Sequence, residues 1–93
     1  MTDVFRAMAD PTRRAILRLL RAGPKSSGFI AEQFPTSWPT ISRHLAMLRD
    51  AGLILSERNG QQIVYELNTT VLDDVVNHLL EWTRPTSTEG ETP

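Results

Sequence analysis

The feature that most constrains the fold is a pair of amphipathic segments in the middle of the chain, separated by a short break. Ser26 or Ser27 can cap the first segment, and Pro35 closes it. Ser37 is a second N-cap, and the helix that follows is predicted to run up to Gly52, a residue suited to a left-handed C-cap. Two helices joined by a turn of about three residues form a helix-turn-helix pattern.

The second of these helices has two chemically different faces. At about 100° per residue, three apolar side chains fall on one side: Ile41, Leu45 and Leu48. The opposite side carries a mixed set, flanked by Ser42: Pro39, Arg43, Ala46 and Asp50. The pattern therefore predicts one face packed in a core and one face open to solvent or to a ligand.

A β-hairpin is predicted directly after this helix. One strand covers residues 53–58, and a return strand covers residues 61–67, in which Ile63 and Tyr65 alternate with other residues. The dipeptide Asn59-Gly60 lies between the strands. It is a strong hairpin signal, because Asn and Gly tolerate the positive φ that tight hairpin turns need.

Two more helices are predicted before this region. Asp10-Pro11 combines an N-cap carboxylate with a proline at the first helical position, so a helix begins there and continues to Gly23-Pro24. Its apolar stripe consists of Ile16, Leu17, Leu19 and Leu20. A shorter amphipathic helix, capped by Thr2, precedes it and carries Val4, Phe5 and Met8.

The last predicted helix begins at Thr69 or Thr70 and stops at Arg84-Pro85. Its apolar stripe is broader than one small core requires, which predicts a surface for a partner subunit: Val71, Leu72, Val75, Val76, Leu79, Leu80 and Trp82. Residues 1–84 are expected to form one mainly α domain with a two-stranded hairpin. Residues 85–93, rich in Ser, Thr, Glu and Pro, are expected to form a disordered acidic tail.

Length and composition exclude several classes of protein. A chain of 93 residues has room for one domain, and its 40% hydrophobic residues are typical of globular proteins. It contains no cysteine, which excludes disulfides, thiolate metal sites and cysteine nucleophiles. No apolar run approaches the roughly 20 residues that span a bilayer, and no signal peptide is recognisable, so a cytoplasmic location is expected.

The formal net charge of −1 conceals an uneven distribution. Residues 1–60 hold nine Lys/Arg and five Asp/Glu, a balance of +4. Residues 61–93 hold one Arg and six Asp/Glu, a balance of −5. The segment that contains the predicted helix-turn-helix is therefore the one suited to an anionic partner such as nucleic acid.

Two stretches resemble signatures of the ArsR family of bacterial repressors. The run DPTRRAIL at residues 10–17 resembles the second helix of that family. The run SWPTISRHL at residues 37–45, with LRDAGLI at residues 48–54, resembles its recognition helix and the entry into its wing. The resemblance covers residues 3–82 and is nearest to the cysteine-free branch, which includes repressors of their own operons.

The resemblance implies a winged helix-turn-helix fold with five helices and a two-stranded wing. It also implies a homodimer, paired through the first and last helices, that represses transcription by occupying an inverted-repeat operator in double-stranded DNA. The dimer interface would then consist of Val4, Phe5, Met8, Val71, Leu72, Val75, Leu79 and Trp82.

The residues themselves identify candidates for contact with DNA. Arg43 is the best base reader, because its planar fork can bond guanine O6 and N7 together. In the wing, Arg58 would be attracted by the negative potential of the minor groove. The full expected set is Ser37, Trp38, Pro39, Thr40, Ser42, Arg43, His44, Arg58, Asn59, Gln61 and Gln62.

Several of the singled-out residues retain two interpretations. Arg43 either reads a base or is a solvated charge on the helix, and Thr40 either donates to a phosphate or base or pairs with the Ser37 cap. Trp38 either packs against DNA or folds back over the core. His44 either contacts DNA or makes a hydrogen-bonded packing contact within the protein. Arg13 and Arg14 either approach phosphate or lie on an exposed helix face.

Three other functions fit the sequence less well than DNA binding: metal sensing, catalysis and protein–protein contact. Metal sensing lacks ligands at residues 29–31, although His78 and Glu81 could form half of an interfacial zinc site with Asp73 or Asp74 of the partner subunit. No glycine-rich phosphate loop or Ser-His-Asp arrangement is present, so we expect no catalytic residue, metal or cofactor. A winged helix used for protein–protein contact is the third interpretation, favoured by the weakly basic wing and the low net charge.

Overall fold

The computed structural model describes residues 1–85, which form five helices and one three-stranded antiparallel sheet. In chain order the elements are α1 Thr2–Met8, α2 Pro11–Leu20, β1 Lys25–Ser26, α3 Ser27–Glu32, α4 Trp38–Asp50, β2 Ile54–Asn59, β3 Gln62–Leu67 and α5 Thr69–Thr83. The mainly helical class, the five helices and the hairpin confirm the sequence prediction. Within residues 1–85, no helix is long and apolar enough to cross a membrane. The predicted disordered tail lies outside the described residues except for Pro85.

The core lies where the helices meet the sheet. Its fully buried side chains are Ile16, Ile30, Ile41, Leu45, Leu48, Leu53 and Ile54. Burying one aliphatic side chain of this size contributes roughly 1.5–3 kcal/mol relative to leaving it exposed. Because the three core residues of α4 lie on a single face, the opposite face of that helix points to solvent, as predicted.

The carboxyl end of α4 is closed by Gly52, whose φ of +83° is left-handed. Gly52 N–H donates to Arg49 O at 2.9 Å, and Leu53 N–H donates to Leu48 O at 3.0 Å. These are the two bonds of a Schellman motif, so the predicted C-cap glycine is confirmed. The motif leads α4 directly into β2 and thereby sets the position of the wing relative to the helix.

The predicted hairpin is confirmed, with its turn one residue later than Asn59-Gly60. Asn59 is the last residue of β2 and pairs with Gln62, so the turn consists of Gly60 and Gln61. Gly60 has a φ of +67°, and every residue with a positive φ in the described part of the chain is a glycine. A positive φ at the first central position alone is the type II′ pattern, which favours glycine there.

The third strand, β1, is absent from the sequence prediction. Lys25 and Ser26 pair with Tyr65 and Val64 of β3, which places β3 in the middle of the sheet. Two residues are too few to show the alternation that identifies a strand in a sequence. This pairing anchors the start of α3 to the wing.

Two predicted helix starts are confirmed with their hydrogen bonds. The Asp10 carboxylate accepts the backbone N–H groups of Thr12 and Arg13, at 2.8 and 3.0 Å. Ser26 Oγ accepts the N–H of Phe29 at 3.1 Å and begins α3. Both caps satisfy donors that have no partner within the helix.

Two other predicted caps are wrong. Thr2 is already the first residue of α1, which has no side-chain cap. The cap of α5 is Asn68, whose side chain accepts the N–H of Val71 at 3.4 Å, and not Thr69 or Thr70. Asn68 has extended backbone immediately after β3, whereas the two threonines are already helical.

Two residues expected at the subunit interface lie in the core of the protomer. Val4 is 7% exposed and Val75 is 2% exposed, so neither offers a surface to a partner. The physical reason is that α5 first needs a side to pack on its own core, and that side carries Val71, Leu72 and Val75. The exposed residues Leu79 and Trp82 lie on the same side further along α5, four and seven residues after Val75, and Val76 lies next to that side.

The two glycines at 28 and 52 give a matched test of this backbone. Gly52→Ala should lower the free energy of unfolding by about 1–2 kcal/mol, because a left-handed φ strains a residue with a Cβ. A Cβ there would meet only Val71 Cγ2, at 3.8 Å, so the loss is conformational and not steric. Gly28→Ala, within α3 and with nothing within 4 Å of a Cβ, should instead raise stability by about 0.4–1 kcal/mol. Urea unfolding measures both, and a change of the same sign in both variants would contradict the assignment.

Candidate nucleic-acid interface

The candidate interface begins on the face of α4 opposite the core. Pro39, Ser42 and Arg43 are all exposed there. Within residues 1–85, Arg43 takes part in no ion pair. Its guanidinium is therefore available to a ligand, next to a hydroxyl donor on the same turn.

The amino end of α4 lacks a side-chain cap. Ser37 Oγ lies 3.0 Å from Thr40 Oγ1, and no side-chain bond reaches the backbone N–H groups of the first turn. Such N–H groups, with the positive end of the helix dipole, favour an anion such as a phosphate. The pairing of these two hydroxyls was one of the interpretations open for Thr40.

Trp38 stands at the first position of α4 and is 52% exposed. The interpretation in which it folds back over the core is therefore wrong. A half-exposed indole at this position can make apolar contact with a sugar or a thymine methyl.

Arg13 lies inside the protein and is only 9% exposed. Its Nε donates to Ala7 O at 2.6 Å, and its Nη2 donates to Arg6 O at 3.1 Å. Arg14 Nη1 donates to Met8 O at 2.9 Å, so consecutive arginines bond the last three carbonyls of α1. Both interpretations of Arg13, as a phosphate contact and as part of an exposed helix face, are wrong, whereas Arg14 is exposed.

The sequence contains a signal for this burial. Arg13 lies three, four and seven residues before Ile16, Leu17 and Leu20, which is the spacing of one helix face. All four residues are buried in α2. Because Arg13 is charged, it was not counted among the apolar residues that mark the buried face of α2.

His44 faces inward from α4, with a side chain that is 15% exposed. Arg13 Nη1 lies 3.2 Å from His44 Nδ1, and His44 Nε2 lies 3.9 Å from Asp10 Oδ2. Because a guanidinium can only donate, Nδ1 must be the acceptor whenever this hydrogen bond forms. Both ring nitrogens are directed to groups within the protein. The structure thus favours the interpretation of His44 as a hydrogen-bonded packing residue over contact with DNA.

Asp10 connects this cluster to the start of α2. The backbone N–H of Arg13 is the main cause that lowers the pKa of Asp10 below its ordinary value of 3.8. Desolvation acts in the opposite direction, while the charge of His44, the N–H of Thr12 and the charge of Arg13 lower the pKa further. The folded protein therefore favours the ionised carboxylate.

The wing supplies a second group of exposed polar residues. Arg58, Asn59, Gln61 and Gln62 are all exposed around its tip. Glu57 precedes Arg58 on β2, and successive side chains of a strand point to opposite faces, so the carboxylate and the guanidinium face apart. Within the described part of the chain, Arg58 forms no ion pair.

An aromatic cluster joins α1 to the end of α5. The Phe5 ring centroid lies 6.0 Å from that of His78 and 6.2 Å from that of Trp82. His78 and Trp82 meet edge to face at 5.5 Å. Trp82 nevertheless remains 69% exposed, so the cluster has an open side.

An aliphatic stripe continues from this cluster along α5. Leu79 is 38% exposed and Val76 is 52% exposed. Val76 was missing from the expected interface, although its distance of four residues from Leu72 and three from Leu79 places it on the same side. These residues and the aromatic cluster form one apolar surface, called here the α1–α5 surface.

Comparison with known proteins decides the family. Residues 8–57 match the family described as "Helix-turn-helix domain". The transcriptional repressor SdpR of Bacillus subtilis (strain 168) is 51% identical over 82 residues, covering 88% of this chain and 91% of that protein. The regulator Rv2034 of Mycobacterium tuberculosis (strain ATCC 25618 / H37Rv) is 40% identical, covering 86% of this chain and 76% of that protein.

A solved structure agrees with these relatives. The ArsR-like transcriptional regulator from Rhodococcus sp. RHA1 superposes with a TM-score of 0.79 at 30% identity, covering 97% of this chain and 89% of that one. The chain belongs to the ArsR family of helix-turn-helix transcriptional regulators. It is a transcriptional repressor of the ArsR family and not an enzyme, because its relatives and structural neighbours are transcriptional regulators.

ArsR proteins that sense metals need a set of ligands. Within residues 1–85, no group of three His, Cys, Asp or Glu side chains could hold an ion. His78, the one histidine of α5, packs its ring against Phe5 and Trp82. In this ArsR protein His78 belongs to the aromatic cluster.

Asp10→Asn tests the charge at the start of α2. Asparagine keeps a side-chain acceptor for the cap but carries no charge. Because the pKa of Asp10 is lowered on folding, its carboxylate stabilises the folded state above pH 3.8, and this contribution disappears as pH falls through the folded pKa. The wild-type chain should therefore melt at a higher temperature than the variant at pH 7, and the gap should close below pH 3.8. A gap that does not change with pH would show that the charge is not involved.

Proposed function

We propose that this repressor is a homodimer that occupies an inverted-repeat operator and inserts one α4 into the major groove at each half-site. The observation that carries the proposal is the exposed face of α4, where Arg43 stands free opposite three core residues. Residues 1–84 supply both DNA binding and pairing in this proposal. Since the operator is chromosomal or plasmid DNA, we propose that the repressor acts in the cytoplasm.

The first two turns of α4 are proposed to read the bases. Arg43 can bond O6 and N7 of one guanine together, and Ser42 can donate to or accept from a base or phosphate beside it. Trp38 and the uncapped N–H groups at the amino end of α4 would meet the sugar-phosphate backbone. A helix in the major groove contacts bases from its N-terminal residues, which is where these groups lie.

The wing is proposed to lie along the adjacent minor groove. Arg58 carries the positive charge, and Asn59, Gln61 and Gln62 offer hydrogen bonds to sugar and phosphate. The proposed DNA-contacting set is the expected one without His44: Ser37, Trp38, Pro39, Thr40, Ser42, Arg43, Arg58, Asn59, Gln61 and Gln62.

Two arginine variants should weaken DNA binding in different ways. Arg43→Ala should cost about 1–3 kcal/mol per half-site on an operator selected from a random DNA pool and much less on scrambled DNA, because it removes a base contact. Arg58→Ala should weaken both duplexes more evenly and lower the salt slope by about one ion per subunit, because it removes a phosphate contact. Salt titrations of the affinity on both duplexes measure these effects.

Arg49→Ala is the matched control, since Arg49 lies on the same helix at the end away from the proposed contacts. Its guanidinium lies 3.5 Å from Asp50 Oδ1 in an exposed ion pair. We expect both affinity and salt slope to stay near the wild-type values. An equal loss for Arg43→Ala on operator and scrambled DNA would show that this residue does not read a base.

The α1–α5 surface is proposed to pair with the same surface of a second copy. It continues into a groove of about 240 Å³ with an apolar floor and three arginines on its rim, lined by Met8, Leu17, Leu67, Leu72, Arg14, Arg18 and Arg21. A two-fold dimer buries the same patch of both subunits, so one apolar surface per chain is enough for pairing. The proposed interface consists of Phe5, Met8, Val71, Leu72, Val76, Leu79 and Trp82.

Leu79→Asp tests the pairing, because it places a charge in the middle of the α1–α5 surface. Sedimentation at micromolar concentration should show a dimer for the wild-type chain and a monomer for the variant, with weak binding to the operator. Leu55→Asp is the matched control, because Leu55 is 47% exposed on β2, away from this surface. A wild-type monomer, or equal dissociation by both variants, would contradict the proposed interface.

A further inference from the structure

A cation is buried at the point where three helices of this fold meet. Two nitrogens of Arg13 bond Ala7 O and Arg6 O, the carbonyls that end α1. Arg6 O also accepts the N–H of Ala9 at 3.2 Å. Carbonyls at the end of a helix have few donors within it and lie at the negative end of its dipole, which favours a guanidinium. This accounts for one side of the Arg13 side chain and anchors it to α1.

The remaining nitrogen of the same guanidinium faces the recognition helix. Arg13 Nη1 lies 3.2 Å from His44 Nδ1 and 3.3 Å from Met47 Sδ. These two residues are three apart on α4, so they lie on neighbouring turns of one side of the helix. The carbonyls of α1 and the side chains of α4 are therefore joined through a single planar group.

A planar guanidinium sets directions as well as distances. Its donors leave in a fixed fork, whereas the surrounding aliphatic contacts are non-directional and allow one helix to slide or tilt on another. Lysine could replace the charge but not the fork, because its donors all radiate from a single nitrogen. The Arg13 guanidinium thus gives the contact between α1 and α4 a fixed direction, which aliphatic core side chains cannot provide.

We propose that Arg13 is a positioning residue for DNA recognition: it holds α4 in a fixed orientation relative to α1 and so fixes the separation of the two recognition helices in the dimer. The inference rests on the proposed function, in which α1 belongs to the pairing surface and α4 meets the DNA. Because α4 is about 20 Å long at 1.5 Å per residue, a tilt of about 10° moves its end by about 3.5 Å. That displacement is about one base-pair step of DNA, roughly 3.4 Å.

The experiment uses the full chain and the inverted-repeat duplex that the wild-type protein selects from a random pool. Two further duplexes have the half-sites moved apart or together by one base pair. The variants are Arg13→Met, Arg13→Lys, His44→Ala and the double variant Arg13→Met/His44→Ala. Sedimentation and thermal melting establish that each is a folded dimer before its affinity is measured.

The wild-type chain should bind the selected duplex at least about tenfold more tightly than either altered spacing. A displaced half-site loses at least one base contact, and one mismatched base pair typically costs about that much affinity. Arg13→Met and His44→Ala should each lose about tenfold on the selected duplex, and the double variant should lose no more than the stronger single variant, because both act through one contact. All three should bind the altered spacings almost as well as the selected one. Arg13→Lys should behave as Arg13→Met does.

Other results would overturn the proposal. A folded Arg13→Met dimer with the wild-type preference for spacing would show that Arg13 does not position α4. Losses that add in the double variant would mean that His44 contacts DNA independently. If Arg13→Met does not fold, His44→Ala decides alone, because it leaves both bonds to α1 in place. A wild-type chain that selects no inverted repeat would refute the proposed function itself, and this outcome differs from all of the others.

Discussion

The fold depends on one buried cation and the groups that satisfy it. A guanidinium removed from water is costly unless its donors are hydrogen-bonded, and Arg13 finds acceptors in two backbone carbonyls, an imidazole nitrogen and a thioether. Asp10 holds the start of the same helix by accepting two N–H groups. The segment from Asp10 to Arg14 therefore caps α2 through Asp10 and bonds the last carbonyls of α1 through its two arginines. It also contacts α4 through Arg13.

The protein has two different surfaces, the exposed face of α4 with the wing and the α1–α5 surface. The exposed face of α4 and the tip of the wing carry free arginines, whereas α1 and α5 carry apolar side chains. The charge is also uneven along the chain: residues 1–60, which contain α4 and Arg58, have a balance of +4, and residues 61–93 have a balance of −5. A net charge of −1 is thus compatible with DNA binding, because only the local field at the interface acts on the phosphates.

Features set by local periodicity could be predicted from the sequence. The core face of α4, the cap at Asp10, the C-cap at Gly52 and the hairpin all follow from spacing and from the conformational needs of single residues. The exposure of Ser42, Arg43 and Arg58 likewise agrees with the sequence pattern, while their contact with DNA stays a prediction. The resemblance to the ArsR family added the expected function, which is repression of transcription.

Features set by tertiary contact could not be predicted in the same way. The spacing of Arg13 with Ile16, Leu17 and Leu20 signals that it is buried. The carbonyls of Ala7 and Arg6 that accept its N–H groups belong to another helix, and their proximity is not visible in a local pattern. Val75 lies inside because α5 must cover its own core, which leaves Val76 on the surface instead. His44 turns inward to Arg13, and a contact between two helices of this kind is not visible in the sequence of α4 alone.

The central claim is that two copies present the Arg43 face of α4 to successive major grooves on one side of a duplex. Hydroxyl-radical footprinting on the selected operator tests it most directly. The account predicts two protected patches related by two-fold symmetry, with half-sites about one helical turn, roughly 34 Å, apart. A single protected patch, or two patches on opposite sides of the duplex, would contradict it.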